Sequence, residues 1–384
     1  MEAARYTYRL RPGKTAAAAL NAEWDRCRWV WNQCVGRDRD LWNEEGITAS
    51  GYGLSAELTD WRGRNEWLRD GSQNAQQNAV LSWAKAKQAF FKVKGQGRPK
   101  FKSRHAASPT LEYSVNGFRL SDGRLIVAGG ISLPVVWHRE LPSTPKTATV
   151  YRDAVGHWWV SFVVRRVAEQ WPEVTGRVGI DWGVKVTATA SDPAYDLPHA
   201  QHGQRASTRL AQAQRKMARR RRPKGQPTSK GYQAARRETA RLYQKIAWQR
   251  KHDARQWARR VVADNALIAV ENFKPKFLAR STMARKSADA AIGQAKRELV
   301  DYGRRAGRTV VLVPPAYTTM TCGECAARAK QRLPLSERTF RCEACGHIAD
   351  RDRNAARTIL AWAEIDPASV ESVRHDPPSG ISAA

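Results

Sequence analysis

The stretch Val178–Val184 reads VGIDWGV and decides the fold. Its apolar residues end on an acid, Asp181, which is typical of a buried strand that stops at the edge of a sheet. VTATA at 186–190 follows as a hairpin partner. Two further apolar runs, ALIAV at 266–270 and TVVLV at 309–313, predict more strands. The pattern therefore indicates a sheet whose strands end in chemically active side chains.

Acids stand at the ends of these segments. Asp181 ends the first run and Glu271 ends ALIAV, while ADRDRNAA at 349–356 places Asp350 and Asp352 before a last helix. Side chains at strand ends meet at one edge of a sheet, and carboxylates there can hold two Mg²⁺ ions about 3.5–4 Å apart for phosphodiester cleavage. Each acid alone could equally cap a turn or pair with a nearby Lys or Arg, so the order of the elements carries the prediction.

Cysteines predict a metal site. Cys322, Cys325, Cys342 and Cys345 form two CxxC knuckles separated by sixteen residues, a spacing that fits tetrahedral zinc. An iron–sulfur centre is the competing interpretation. Four thiolates would close the coordination sphere, so we expect the zinc to be structural. Cys27 and Cys34 follow a helical spacing with Trp24 and Trp31 and are expected to pack in a core.

The charge of the chain indicates a polyanionic partner. Lys and Arg total 66 against 36 acids, a formal net charge of +30, and nucleic acid is the natural counter-charge. A basic surface kept for solubility or membrane association is the alternative. No apolar run approaches the roughly 20 residues of a membrane span, and the N-terminus lacks a signal peptide. We expect no membrane partner and a cytoplasmic, nucleoid-associated location.

The motifs taken in order resemble the TnpB family of transposon-encoded proteins, relatives of the type V CRISPR effectors. YTYRLRP at 6–12 and CRWVWNQ at 27–33 are similar to the opening strand and first helix of the family, and FKSRH at 101–105 to its basic loop. VGIDWGV, VENF at 270–273 and DRDRNAARTIL at 350–360 resemble its three RuvC-like nuclease motifs, and PAYTTMTCGEC at 315–325 its lead into a zinc ribbon. The resemblance covers roughly residues 6–360.

The resemblance implies an α+β multidomain fold in which an RNase H-like (RuvC-like) α/β nuclease domain, carrying a helical insertion and a zinc ribbon, follows a β-barrel-like wedge domain with an inserted helical recognition domain. The implied boundaries are 1–15 and 106–170 for the wedge, 16–105 for the recognition domain, 176–318 and 347–365 for the nuclease, 199–260 for its basic helical insertion, 319–346 for the ribbon and 366–384 for a disordered tail.

The resemblance also implies the roles of the acids. Asp181, Glu271 and Asp352 become the catalytic ligands of Mg²⁺, with two ions expected, and Asp352 is chosen over Asp350 because the family acid stands two residues before Asn-Ala-Ala. The chain departs from the usual family pattern at Trp182, at Thr319 and Met320, and at Thr358. None of these departures removes a proposed metal ligand.

The implied activity is RNA-guided cleavage of double-stranded target DNA, with a guide RNA from the transposon end as partner. A nuclease-inactive RNA-guided repressor and a compact type V CRISPR effector are the alternatives. A transposase proper does not fit, because the sequence has no His-hydrophobic-His motif paired with a tyrosine nucleophile. The oligomeric state, the guide and the target-flanking motif are left open.

Overall fold

Two units, Met1–Ala168 and Glu169–Ala384, divide the chain. The computed structural model describes residues 2–104, 107–223, 225–273, 278, 281–331, 333–334, 336–365 and 371–372. Within these residues, no helix is long and apolar enough to cross a membrane.

The first unit combines strands with a group of helices inserted after its first strand. Its elements are β1 (Glu2–Leu10), α1 (Lys14–Glu45), α2 (Gly51–Arg64), α3 (Glu66–Arg69), α4 (Gln73–Lys92), β2 (Thr110–Ser114), β3 (Phe118–Ser121), β4 (Arg124–Val127), β5 (Ile131–Val136), β6 (Thr147–Arg152) and β7 (Trp158–Arg166).

The strands of this unit form an antiparallel seven-stranded sheet in the order β2-β6-β7-β1-β5-β4-β3. Its two edge strands, β2 and β3, are joined by only Val115–Gly117. The four residue steps from Ser114 to Phe118 span at most about 14 Å, so the sheet has to curl until its edges approach each other. This curvature is what a barrel-like domain requires.

Helix α1 belongs to two cores at once. Near its start, Leu20, Trp24 and Cys27 pack against the sheet. Further along, Trp31 and Cys34 pack with α2, α3 and α4. Both cysteines are buried, as their spacing predicts, and burial raises the pKa of the Cys34 thiol to about 12. These thiols are therefore packing residues.

The second unit alternates strands and helices. Its elements are β8 (Gly176–Trp182), β9 (Val186–Ala190), β10 (Leu197–Pro198), α5 (His202–Arg205), α6 (Ser207–Arg219), α7 (Lys230–Asp264), β11 (Asn265–Glu271), α8 (Ala284–Ala290), α9 (Ile292–Arg305), β12 (Thr309–Val313), β13 (Thr339–Arg341), β14 (Ile348–Asp350), α10 (Arg351–Ile365) and β15 (Glu371–Ser372).

A six-stranded sheet in the order β10-β9-β8-β11-β12-β15 forms the centre of this unit. Strands β8, β11 and β12 are parallel, whereas β9 is antiparallel to β8. The carboxyl ends of the three parallel strands therefore lie at one edge. Strands β13 and β14 form a separate hairpin.

Helices cover both faces of this sheet. Trp257 and Val261 of α7 pack with Leu299 of α9 against alternate residues of β8 and β11. On the other face, Ile359 of α10 packs with Ala269 and other small apolar residues of β11 and β12. Since successive residues of a strand face opposite sides, the continuous apolar runs seen in the sequence are those of strands buried on both faces.

Two segments differ from the sequence expectation. The pattern at 284–306 predicts one helix, but the structure has α8 and α9, separated at Ala291, whose φ is 53°. In the tail, expected to be disordered from residue 366, Glu371–Ser372 pair with β12. The rest of that tail lies outside the described residues.

Gly179 is the point at which α10 crosses β8. A Cβ atom at this position would collide with the carbonyl oxygen of Ala356 and would lie 2.9 Å from the Cβ of Leu360. A side chain here would push the helix away from the strand. Asp352 stands one helical turn before Ala356, and Asp181 stands two residues after Gly179, so this contact brings both acids to the same end of the sheet.

We expect Gly179→Ala to lower the free energy of unfolding by about 1–3 kcal/mol, because the added methyl group overpacks this contact. Urea denaturation measures the change. Gly231→Ala is the matched control, since a Cβ there would meet only Arg220 side-chain atoms at 3.5 Å or more. Equal stability of the two variants would show that the helix can move away at no cost.

Candidate functional site

Asp181 and Glu271 lie side by side at the carboxyl edge of the sheet. The parallel register pairs Ile180 with Val270, and each acid is the next residue on its strand. Both side chains are buried, with relative exposures of 7% for Asp181 and 8% for Glu271. The structure therefore brings together the first two acids that the sequence singled out.

Burial controls the protonation of this pair. It raises the pKa of Asp181 well above the usual range, and the charges of Glu271 and Asp352 raise it further. Burial also raises the pKa of Glu271 to about 7, although the Trp182 backbone N–H and the Lys296 ammonium oppose the shift. Two acids that share one buried site suffer this penalty when nearby cations offset it only in part. A divalent cation would relieve it.

Trp182 holds the backbone beside Glu271. Its indole N–H donates to the carbonyl oxygen of Glu271 at 3.1 Å, and its ring meets Trp257 edge-on with 5.9 Å between centroids. This tryptophan stands where the family usually has leucine. The sequence shows this difference, but nothing in it indicates that the indole connects β8 to β11 through a hydrogen bond.

Asp352 lies in the first turn of α10 and is paired with arginines. Its carboxylate accepts hydrogen bonds from Arg338 at 3.1 Å and from Arg351 at 3.4 Å. Among the described residues, only four cysteines bring three or more possible metal ligands within 4.8 Å of one another. The three acids consequently form a looser group, with Asp352 held toward Arg338.

Asp350 makes different contacts from Asp352. Its carboxylate accepts the backbone N–H groups of Asp352 and Arg353, both at 3.0 Å. This is the bonding of a helix N-cap, which satisfies donors that have no partner inside the helix. Asp350 thus stabilises the start of the helix that carries Asp352.

The cysteines Cys322, Cys325, Cys342 and Cys345 converge as the spacing predicts. Their sulfur atoms all lie within 4.8 Å of one another, with 3.8 Å between Cys322 and Cys345 and 3.6 Å between Cys325 and Cys342. Tetrahedral zinc with bonds of about 2.3 Å needs sulfur separations of roughly 3.8 Å. The thiols therefore fit structural zinc in residues 319–346, here termed the cysteine module.

Hydrogen bonds connect the cysteine module to α10. The Asn354 amide donates to the carbonyl of Thr321 at 2.7 Å and accepts the Gly323 N–H at 2.9 Å. The hydroxyl of Thr358, another departure from the family pattern, also donates to Thr321 at 3.0 Å. In the sequence Asn354 stands out only as part of a motif, and its buried side chain links the cysteine module to the helix that carries Asp352.

We expect purified protein to contain one zinc per chain, because the sulfur separations match the tetrahedral geometry. Elemental analysis tests this, and iron or no metal would contradict it. Cys325→Ser should lose zinc and destabilise the cysteine module, since metal binding contributes folding free energy. Cys34→Ala, which changes a buried cysteine of the first unit, should retain the full zinc content.

A second prediction concerns stability without divalent metal. The folded pKa of Glu271 exceeds its ordinary value of 4.5, so ionisation destabilises the fold increasingly as pH rises from about 4.5 through 7. In buffer prepared without Mg²⁺ and without chelator, so that zinc is retained, we expect Glu271→Gln to melt a few degrees above the parent at pH 8 and by a smaller margin at pH 5.

Glu298→Gln provides a control of opposite sign. Glu298 is equally buried, at 8% exposure, but it pairs with Arg255 at 3.1 Å. Its replacement should therefore lower the melting temperature at pH 8. A Glu271→Gln variant that melts below the parent at pH 8 would contradict the conclusion that burial of the ionised Glu271 destabilises the fold.

Known proteins resemble this chain over most of its length. Sequence models of families described as "Helix-turn-helix domain", "Probable transposase" and "Cas12f1-like, TNB domain" match residues 1–46, 160–281 and 293–359. In the first of these segments, the structure has a strand and one long helix. The third match spans the cysteine module and most of α10.

Two bacterial relatives carry names that describe RNA-guided DNA endonucleases. The protein of Streptomyces pristinaespiralis is 32% identical over 93% of this chain and 88% of its own length. InsQ of Escherichia coli (strain K12) is 29% identical over 93% of this chain and 91% of its own length. 

The fold is also similar to that of Cas12f1 in a cryo-EM complex with single-guide RNA and target DNA. The TM-score is 0.54 at 14% identity, covering 90% of this chain and 82% of that chain. Given the extent of the match to the Streptomyces relative, together with the transposase-type and TNB segments, the chain belongs to the TnpB family.

Proposed function

We propose that this protein is a transposon-associated, RNA-guided endonuclease that cleaves double-stranded target DNA at a RuvC-like site. The observation that carries the proposal is the pair of buried acids, Asp181 and Glu271, at the carboxyl ends of adjacent parallel strands. A helix brings Asp352 toward the same edge. The names of the relatives support the guided cleavage of DNA.

The topology of the second unit supports an RNase H-like classification. Its sheet has three parallel strands, with the antiparallel β9 beside β8 and helices on both faces. The acids stand on the first strand, on the strand beside it and on the last helix. This is the arrangement that the RuvC-like interpretation requires.

The side chains at this edge suit Mg²⁺. Carboxylate oxygens are the hard ligands that Mg²⁺ prefers, and the pKa values of Asp181 and Glu271 are raised because burial outweighs the charges of Arg351 and Lys296. We assign Asp181, Glu271 and Asp352 as the residues that would hold two ions. Bound Mg²⁺ would supply activation of water and stabilisation of the leaving oxygen during phosphodiester hydrolysis.

The residues around the acids position them for this chemistry. Trp182 binds the backbone of Glu271, Asp350 caps the helix that carries Asp352, and Arg338 orients the Asp352 carboxylate. The zinc proposed for the cysteine module is structural, because four thiols leave no open coordination position. Its contribution is to hold the start of α10 through Asn354.

The basic hairpin formed by α6 and α7 supports guide RNA as a partner. A cleft of about 590 Å³ between these helices is lined by Arg209, Lys216, Arg219, Arg241 and Lys245, with Glu238 as its acid. Such a concentration of cations suits phosphate groups. With the net charge of +30, it supports binding of an RNA guide in addition to the DNA target.

The decisive experiment compares four isosteric variants of the RNA-loaded protein on target DNA. Asp181→Asn, Glu271→Gln and Asp352→Asn should each slow Mg²⁺-dependent cleavage a thousandfold or more, since losing several kcal/mol of transition-state stabilisation has that effect. DNA binding should remain, because it depends on other contacts. Cleavage rates and filter-binding affinities measure the two properties separately.

Asp350→Asn is the matched control. Asparagine caps a helix as well as aspartate does, so this variant loses a charge two residues from Asp352 without losing the cap. If Asp350→Asn abolishes cleavage and Asp352→Asn does not, the third ligand is misassigned. A parent protein that binds target DNA but never cuts it in Mg²⁺ or Mn²⁺ would replace the nuclease with an RNA-guided repressor.

A further inference from the structure

A strained tyrosine precedes the cysteine module. Tyr317 has a φ of +66°, in the left-handed region that suits glycine and is a genuine outlier for a bulky residue. Its side chain is nevertheless half exposed, at 50%, so core packing does not account for the aromatic ring. Backbone strain of this kind is concentrated at functional sites.

The turn around Tyr317 is firmly held. The Tyr317 carbonyl accepts the N–H of Met320 at 2.9 Å and both the N–H and the hydroxyl of Thr321 at 3.1 Å. Thr318 is buried, and its hydroxyl donates to Pro315 at 3.2 Å. The ring is therefore presented to solvent by a fixed backbone.

A cation lies against this ring. The guanidinium carbon of Arg328 is 3.2 Å from the centre of the Tyr317 ring, and Arg328 is itself exposed. The backbone bridge between Thr321 and Arg328 brings the two segments together. An exposed aromatic ring beside an arginine can stack an unpaired base and contact its phosphate.

This pair stands close to the acids. Val313 pairs with Glu271 at the end of β12, and Tyr317 follows four residues later, within about 14 Å of that strand end. Thr321, which binds the Tyr317 carbonyl, is in turn bound by Asn354, two residues after Asp352. The turn that carries the ring is thus connected to β12, which ends beside Glu271, and to α10, which carries Asp352. Its distance from the end of β12 corresponds to the length of a few nucleotides.

We propose that Tyr317 and Arg328 form a subsite for one unstacked nucleotide of the single-stranded DNA that enters the acid site. The open face of the Tyr317 ring stacks on the base, and the Arg328 guanidinium contacts the neighbouring phosphate. The inference rests on the proposed DNA cleavage, because that activity is what brings an unpaired DNA strand to this edge. DNA is chosen over RNA for the same reason.

Photo-crosslinking tests the contact directly. The probe is target DNA carrying 5-iododeoxyuridine at successive positions around the cut, bound to the RNA-loaded Asp181→Asn variant. We expect a crosslink to Tyr317, identified by mass spectrometry, at one or two adjacent positions. A crosslink formed only by 5-iodouridine placed in the guide RNA would overturn the assignment to DNA. A DNA crosslink in a complex whose parent never cuts would support the subsite while refuting the proposed function.

Two glycine substitutions separate a binding role from a structural one. Tyr317→Gly relieves the strained conformation and removes the ring, so we expect an unchanged or higher melting temperature but about tenfold weaker binding of single-stranded oligodeoxynucleotide, as for other base–aromatic stacks. Ala326→Gly relieves a similar strain, at a φ of 58°, without removing an aromatic ring. It should leave DNA affinity and cleavage unchanged.

Tyr317→Phe keeps the stacking surface and should retain the parent's DNA affinity. Arg328→Gln should weaken binding and reduce its dependence on salt, because one phosphate contact is lost. Full DNA affinity and cleavage in Tyr317→Gly would overturn the proposal, and so would a crosslink that never involves Tyr317.

Discussion

The close contact between α10 and β8 at Gly179 is the constraint on which the rest of the second unit depends. The carbonyl of Ala356 occupies the space where any other residue would place its Cβ atom. This contact sets the depth at which the helix lies on the sheet, and therefore how near Asp352 comes to Asp181. The cysteine module holds the same helix from its other side through Asn354 and Thr358. The cysteine module and a glycine thus determine together where a proposed catalytic acid lies.

The acid site lowers the stability of the fold that contains it. Asp181 and Glu271 are buried next to each other, and burial is the largest cause of the raised pKa of each. Asp352 differs because Arg338 and Arg351 bind its carboxylate. In a chain with a net charge of +30, further arginines could have neutralised the buried pair. Instead, the Trp182 backbone N–H and the charges of Lys296 and Arg351 offset the raised pKa values only in part, and a divalent cation at the proposed site would supply further positive charge.

Much of the site could be predicted because its signals are local. Each apolar run ending in an acid indicated a strand end, and the paired CxxC knuckles indicated one tetrahedral ion. Other features had no local signal. Ala291 does not differ from any helical alanine in sequence, yet the helix breaks there. Trp182 was seen as a departure from the family, but its hydrogen bond reaches a residue 89 positions away. The choice of Asp352 over Asp350 as a proposed metal ligand rests on resemblance, and the sequence carried no signal for the N-cap bonding of Asp350.

By itself, the sequence determined the kinds of element, the thiols of the cysteine module and the acids proposed for catalysis, because periodicity and ligand spacing depend on neighbours along the chain. Only the tertiary structure decided which strands lie side by side, which acids are buried together, and that Tyr317 presents its ring beside Arg328. These properties depend on strand register and helix depth, which arise from contacts between residues far apart in sequence. The sequence specifies which side chains are present, whereas the whole fold sets the distances between them and their exposure to water.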